Sequence, residues 1–376
     1  MTSRTLTLLF KICFIVSFLV TSLVALAIAI LLYFTLRFVN LDLYRKALWY
    51  LMVVAYAHVT FVTDWWSLLE LNLYMNDEDF RKYFGKEHAL LIINHSYDID
   101  WLPLLSICAR MNLLGNIKIF IKRSLQYIPI LGWSFILSEY VLLYRSYRQD
   151  EKIIQDAIRN YATYPYPLWV RKTLLLYPEG TWATEDNLEK SRVYAERMNL
   201  AQLKHHLQPR TTGFTTTLKE MRGHIKAIYN VEIAFRRGPA QPSCSNILKG
   251  KQLVSDIYIK RISEDDIPTD SLEQERLLRE MFQTKDKLRN SYIETGSFFT
   301  TSHVPVEGHF KLERPFYIIV VVFFACCSII VTSLLYWLIC LYQVHGFAIP
   351  FYIFMAISAG SIMIFNIGIK ATVIQN

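Results

Sequence analysis

The sequence lacks the signatures by which many soluble enzymes declare themselves. It has no G-x-S-x-G elbow, no P-loop, no H-E-x-x-H pair and no dinucleotide fingerprint. A serine elbow, a nucleotide cradle and a zinc-hydrolase helix are therefore excluded as starting points. The six cysteines form neither a disulfide framework nor a pair at metal-ligand spacing. Cys13, Cys326, Cys327 and Cys340 fall in apolar runs, while Cys108 and Cys244 are isolated, which suits a reducing compartment. No basic run is interleaved with aromatics. The net charge of +8 is thus read as orientation in, and attraction to, an anionic membrane, not as a sign of nucleic acid. Internal repeats, low-complexity tracts and disordered linkers are also missing.

Charge itself is missing from two long stretches. Residues 12–36, between Lys11 and Arg37, carry none, and residues 315–369, between Arg314 and Lys370, carry only the titratable His345. The first is long enough to cross a hydrocarbon core of about 30 Å, and it exceeds a signal-peptide core of about 7 to 15 residues, so an uncleaved anchor is expected. The second is long enough for two crossings joined by a turn near His345, Gly346 and Pro350. A weaker run, 48–63, contains His58 and is short for a span; it is expected to lie at the interface or to re-enter. Lys311, Arg314 and Lys370 flank the C-terminal pair while its turn has no Lys or Arg, so the positive-inside rule places the central region and the C-terminus in the cytosol. At 53% hydrophobic and 19% charged, the chain is too apolar for an ordinary soluble domain and too charged for a polytopic transporter. The expected organisation is a membrane anchor over 1–63, a cytosolic α/β domain over 64–313 and two transmembrane helices over 314–376.

Within the central region, short apolar runs alternate with amphipathic ones. The runs predict strands over 89–93, 117–121, 140–144, 173–177, 225–235 and 253–262, and helices over 150–161, 188–205 and 271–294. Strands separated by helices imply an α/β fold with a mostly parallel sheet flanked by helices.

Chemistry gathers at strand ends, where open α/β sheets place their sites. NHSYDIDW (94–101) follows the first strand and carries His95 and Asp100. On one continuous helix their spacing would set them about 140° apart. With His95 in the turn and Asp100 in the first helical turn they converge, and a carboxylate on one ring nitrogen leaves the other free to take a proton. The alternative is a polar strand end whose histidine caps a helix. LLLYPEGTW (174–182) ends a second strand at Pro178, and Gly180 opens backbone N–H groups to a phosphate or an oxyanion; an ordinary turn is the alternative. GWSFILSEYVLLYR (132–145) ends in Arg145, either a bidentate phosphate contact or a solvated arginine, and Lys122 with Arg123 ends another strand in the same way. With no serine or cysteine nucleophile evident, a His–Asp pair points to activation of a hydroxyl that the substrate supplies.

Taken in order, Asn94, His95 and Asp100, then Gly132-Trp133 leading to Arg145, then Tyr177-Pro178-Glu179-Gly180-Thr181, then PRTTGFTTTLKEMRG (209–223) followed by AIYNVEIAF, closely resemble the 1-acylglycerol-3-phosphate acyltransferases, nearest to their long eukaryotic multi-span branch. The resemblance implies the fold of glycerol-phosphate acyltransferases. It implies transfer of a fatty acyl group from acyl-coenzyme A to the sn-2 hydroxyl of lysophosphatidic acid at the endoplasmic reticulum membrane, with no metal, cofactor or covalent intermediate. By the same resemblance His95 is the general base and Asp100 orients it. Glu179, Gly180 and Thr181 belong to the glycerol-phosphate site, Arg145 is the matching basic residue, and Asn94 and Lys122 are further candidate substrate contacts. Two departures stand out: Tyr177 replaces the family's phenylalanine and Trp182 its arginine, so phosphate binding passes to Arg145, Lys122 or Arg192, or the head group differs. Asp98 competes with Asp100 for His95. Acylation of another lysophospholipid, such as lysophosphatidylinositol or lysocardiolipin, phospholipid hydrolysis and noncatalytic lipid binding are the alternatives.

Overall fold

Apolar runs bounded by polar turns become the strands of one sheet, ordered β4-β3-β5-β2-β6-β7-β1-β8 among the described residues. The strands are β1 (Glu70–Met75), β2 (Ala89–Ile93), β3 (Ile117–Lys122), β4 (Val141–Leu143), β5 (Thr173–Leu176), β6 (Ala227–Phe235), β7 (Val254–Ser263) and β8 (Gly308–Lys311). The helices are α1 (Ser3–Phe34), α2 (Leu36–Val39), α3 (Leu41–Phe61), α4 (Asp77–Lys82), α5 (Trp101–Arg110), α6 (Leu131–Leu137), α7 (Tyr147–Ala162), α8 (Glu185–Arg197), α9 (Thr211–Met221), α10 (Cys244–Leu248) and α11 (Ser271–Thr295). The computed structural model describes residues 3–128, 131–144, 147–162, 173–238 and 240–315, with 333, 337 and 340–343. The expected pair of crossings over 314–376 lies almost wholly outside them.

The sheet is mostly parallel, as expected. Among the described residues only β6 with β7 and β1 with β8 run antiparallel. Alternation along each strand sends side chains to opposite faces. Leu90 and Ile92 of β2, with Leu174, Leu176 and Ile228, pack under Ile154 and Ile158 of α7, Phe214 and Leu218 of α9, and Leu278 and Phe282 of α11. Ala89 and Ile93, with Leu175, Val231 and Ile233, face the other way onto Leu104, Leu105 and Cys108 of α5. The central strands are covered on both sides, which is why β6 reads as a nearly unbroken apolar run and is buried throughout.

Helix α8 is shorter than the predicted 188–205. Asn199 takes a left-handed φ of 50°, and Leu200 N–H donates to Ala195 O at 2.8 Å, closing the helix after Arg197. The edge strand β8 and its neighbour β1 were not predicted, nor were the short helices α4, α6 and α10, nor α9, whose TTGFTTTLKEM is rich in poor helix formers. Helix α9 forms because Phe214, Leu218 and Met221 share its sheet-facing side.

The weaker apolar run 48–63 is part of a longer helix, α3, which continues through a π turn to Trp66. Phe18–Val39 and Leu41–Trp66 are each long and apolar enough to cross a membrane by length and composition. The second is bolted to the sheet domain. Asp64, fully buried, pairs with Arg110 at the end of α5 at 3.1 Å, Thr63 Oγ1 meets Ser106 Oγ at 2.9 Å, and Ala57 joins the core beneath α5. Near the start of α3, Tyr44 donates to Leu137 O of α6 at 2.9 Å and Arg45 pairs with Glu139.

Candidate active site

Strand β2 lies between β5 and β6, so the loop after Ile93 opens at the middle of the sheet's C-terminal edge. Asn94 is fully buried and prolongs the ladder with its side chain: Oδ1 accepts from Ile233 N–H at 2.8 Å and Nδ2 donates to Ile233 O at 3.2 Å. That fixes where the chain leaves the sheet. His95 follows, partly exposed, with its backbone N–H donating to Glu179 Oε1 at 2.7 Å and its carbonyl accepting from Ala183 N–H at 3.1 Å.

The loop then folds back on Asp100. Its Oδ2 accepts the N–H groups of Ser96 at 2.6 Å and Tyr97 at 2.7 Å, and lies 3.5 Å from His95 Nδ1. The pair expected from spacing thus meets, with His95 in the turn and Asp100 at the N-terminus of α5. Asp98 does not take this place. It is half-buried, and its carbonyl accepts from the Trp101 indole. Burial pushes the Asp100 carboxyl above its ordinary value, against the hydrogen bonds from His95 and Tyr97 that favour its charge. Its Oδ1 has no hydrogen-bond partner among the described residues. A carboxylate so placed gains most when the imidazole beside it becomes charged. The His95 ring is bounded by Tyr177, 5.1 Å between centroids, and by Trp182, 5.9 Å and edge-on.

Glu179 is placed differently from the expected glycerol-phosphate contact. It is 2% exposed, and its two oxygens are spent on backbone, Oε1 on His95 N–H and Oε2 on Leu207 N–H at 3.1 Å. Burial raises its pKa, opposed by the nearby His206 charge and those two bonds. Glu179 and Asn94 therefore hold the turn in which His95 sits, and both are buried. Gly180, with φ +71°, turns the chain back, and Thr181 stands half-buried after it. Lys122 is exposed at the same edge. Ala89 and Ile117 both pair with Thr173, so five residues on, Asn94, Pro178 and Lys122 stand level. Arg145 lies outside the described residues, and Arg192 is engaged with Glu189 at 3.2 Å.

A buried charged cluster behind the turn was not read from sequence. His206 bridges Asp286 of α11, 3.2 Å from Nδ1, and Glu232 of β6, 3.1 Å from Nε2. Arg289 donates to Glu232 at 2.8 Å and reaches Ser96 Oγ at 3.2 Å, while Lys285 donates to the carbonyls of Ile92 and Val231. Burial pulls His206 down, but the carboxylates of Glu232, Asp286 and Glu179 outweigh it and push its pKa up to about 9. These side chains tie α11 to β2 and to the middle of β6. The one available signal was the charge spaced along an otherwise amphipathic 271–294. Among the described residues no group of three His, Cys, Asp or Glu side chains is placed so that it could hold a metal ion.

The acyltransferase family matches residues 73–230, and the family of acyltransferase C-termini matches residues 246–325. The human 1-acyl-sn-glycerol-3-phosphate acyltransferase gamma is 36% identical over 260 residues, 69% of this chain and 68% of the human one. The human delta enzyme is 34% identical over 267 residues, 71% of this chain and 69% of its own length. The mouse gamma enzyme is 35% identical over 260 residues, 69% of this chain and 68% of its own. No solved structure matches the chain.

Proposed function

This chain belongs to the acyltransferase family, among the relatives named 1-acyl-sn-glycerol-3-phosphate acyltransferases, and from that premise we propose that it transfers a fatty acyl group from acyl-coenzyme A to the sn-2 hydroxyl of lysophosphatidic acid, yielding phosphatidic acid. The observation that carries this reading is the convergence of His95 and Asp100 at the C-terminal edge, with the ring held between Tyr177 and Trp182 and its second nitrogen left for a substrate. His95 Nε2 takes the proton of the acceptor hydroxyl as its oxygen attacks the thioester carbon. The tetrahedral centre collapses, the carbon–sulfur bond breaks, and the proton on His95 passes to the departing thiolate. Asp100 holds the tautomer and stabilises the transient imidazolium.

Membrane contact fits the same edge. Trp101 after β2, Tyr127, Ile128 and Leu131 after β3, Tyr144 after β4 and Trp182 after β5 are all exposed apolar side chains in segments that follow parallel strands. Aromatic residues at a bilayer interface let head groups reach a site while acyl chains stay in lipid. The reading extends to a cytosolic domain over 64–313, attached to the endoplasmic reticulum membrane by the segment 1–63 and a C-terminal pair of spans over 314–376. Trp182, where the family pattern has arginine, favours a second reading in which the acceptor is another lysophospholipid.

The test is purified full-length protein in detergent, given acyl-coenzyme A and a panel of lysolipids, beside His95→Ala. Lysophosphatidic acid is expected as the best acceptor, and His95→Ala is expected to lose about 10² to 10⁴ in kcat with lysolipid binding kept. Release of free fatty acid without an acceptor, or full activity in His95→Ala, contradicts the proposal.

A further inference from the structure

We propose that Arg210 holds the phosphate of the acceptor lipid and so sets the preference for phosphorylated over unphosphorylated acceptors. This inference rests on the acyltransferase reading above and names the group that recognises the substrate. Arg210 caps the N-terminus of α9, and its backbone N–H donates to Pro178 O at 2.9 Å, which fixes it against the turn that carries Glu179 and Gly180. Its side chain lies over the bare face of Gly180. A Cβ at that glycine would stand 3.2 Å from Arg210 Nε, 3.4 Å from Cζ and 3.5 Å from Cδ. Glycine at this place thus leaves room for the guanidinium, beyond what its left-handed φ requires.

The charge of Arg210 is uncommitted. The residue is exposed, and its guanidinium has no hydrogen bond or ion pair among the described residues. Other guanidinium groups around the site are spent: Arg289 on Glu232 and Ser96, Arg236 on Asp256, Arg192 on Glu189. The same turn ties Arg210 to the reacting centre. Glu179, adjacent to Gly180, holds the His95 N–H, and Trp182, two residues beyond Gly180, packs edge-on to the His95 ring. A guanidinium and an imidazole thus flank one short turn, an arrangement that suits an acceptor bearing a phosphate beside its free hydroxyl. The first turn of α9 adds unpaired N–H groups and the positive end of a helix dipole to the same side. Arginine binds phosphate bidentately, so a charge at 210 replaces the one that Trp182 does not provide.

The test compares full-length wild type, Arg210→Ala, Arg210→Gln and Arg210→Lys, with Arg197→Ala on α8 as a charge-matched control. Acyl transfer is measured to lysophosphatidic acid and to monoacylglycerol of the same chain, with KM determined for each acceptor and for acyl-coenzyme A. Arg210→Ala and Arg210→Gln are expected to raise KM for lysophosphatidic acid roughly ten- to a hundredfold. KM for acyl-coenzyme A should hold, and the preference over monoacylglycerol should collapse by the same factor. Arg210→Lys should recover part of it, and Arg197→Ala should match wild type. An unchanged acceptor KM, an equal loss on both acceptors, or a loss that falls on acyl-coenzyme A overturns the inference while the functional reading stands. Wild type that transfers to no lysophospholipid overturns the functional reading itself, and this inference with it.

Discussion

Asn94, Asp100 and Glu179 are all buried polar side chains, and each turns at least one oxygen to backbone N–H groups of the loop that carries His95 or of the strands and loops beside it. The imidazole is held less by bonds to its ring than by bonds to its main chain. The 3.5 Å contact with Asp100 is long for a hydrogen bond, and catalytic contacts of this kind tighten when substrate arrives. Glu179 is therefore expected to act on turnover through His95. In Glu179→Gln one carboxylate oxygen becomes an amide NH2, leaving either the His95 or the Leu207 N–H without an acceptor. The expected loss is about 1–3 kcal/mol of stability in chemical denaturation, with kcat falling and acceptor KM nearly unchanged. A rise in acceptor KM alone would instead return Glu179 to the substrate-contact role expected from the sequence.

Helix α11 reaches the centre of the sheet through charge as well as apolar packing. Lys285 and Arg289 donate to the carbonyls of Ile92, Val231 and Ile233 in β2 and β6, and Asp286 holds His206 against Glu232. His206 titrates near 9 in the folded protein against an ordinary value of 6.5, so the stability it contributes is complete below about pH 6.5 and is lost as pH rises through about 9. Lys285 works the other way. Burial pushes it down to about 8, and its penalty is relieved between there and 10.5. The histidine contribution is therefore read as a difference: wild type should exceed His206→Gln in denaturation midpoint near pH 6, and the gap should narrow by about pH 9.5. A gap that stays constant with pH would mean that His206 is neutral in the fold. The elements hardest to foresee were those whose stability is lent by neighbours. Strand β8, GHFK, has one apolar side chain, the partly buried Phe310, and exists because β1 pairs with it; α9 exists because three apolar residues find the sheet.

The N-terminal helices and the catalytic domain form one packed body in the described residues, since Asp64–Arg110 and Thr63–Ser106 join α3 to the helix that starts at the active-site loop. With the exposed aromatic rim at the same edge, this favours a site held at a lipid surface. Tyr127→Ser combined with Leu131→Ser should lower kcat/KM on long-chain lysolipid presented in vesicles several-fold, while turnover of a short-chain acceptor free in solution holds. Equal turnover of the vesicle substrate in wild type and double variant would show that the rim does not touch lipid. From the residues alone followed the parallel sheet, six of its strands within a few residues, and the meeting of His95 with Asp100, because strand periodicity and a five-residue separation across a turn are local properties of the chain. Only the tertiary structure decided that Asn94 and Glu179 brace the loop, that His206 lies between two carboxylates, and that Arg210 rests on Gly180. Those pairs are 26 to 139 residues apart in sequence and meet through strand order and helix packing, which no local pattern encodes.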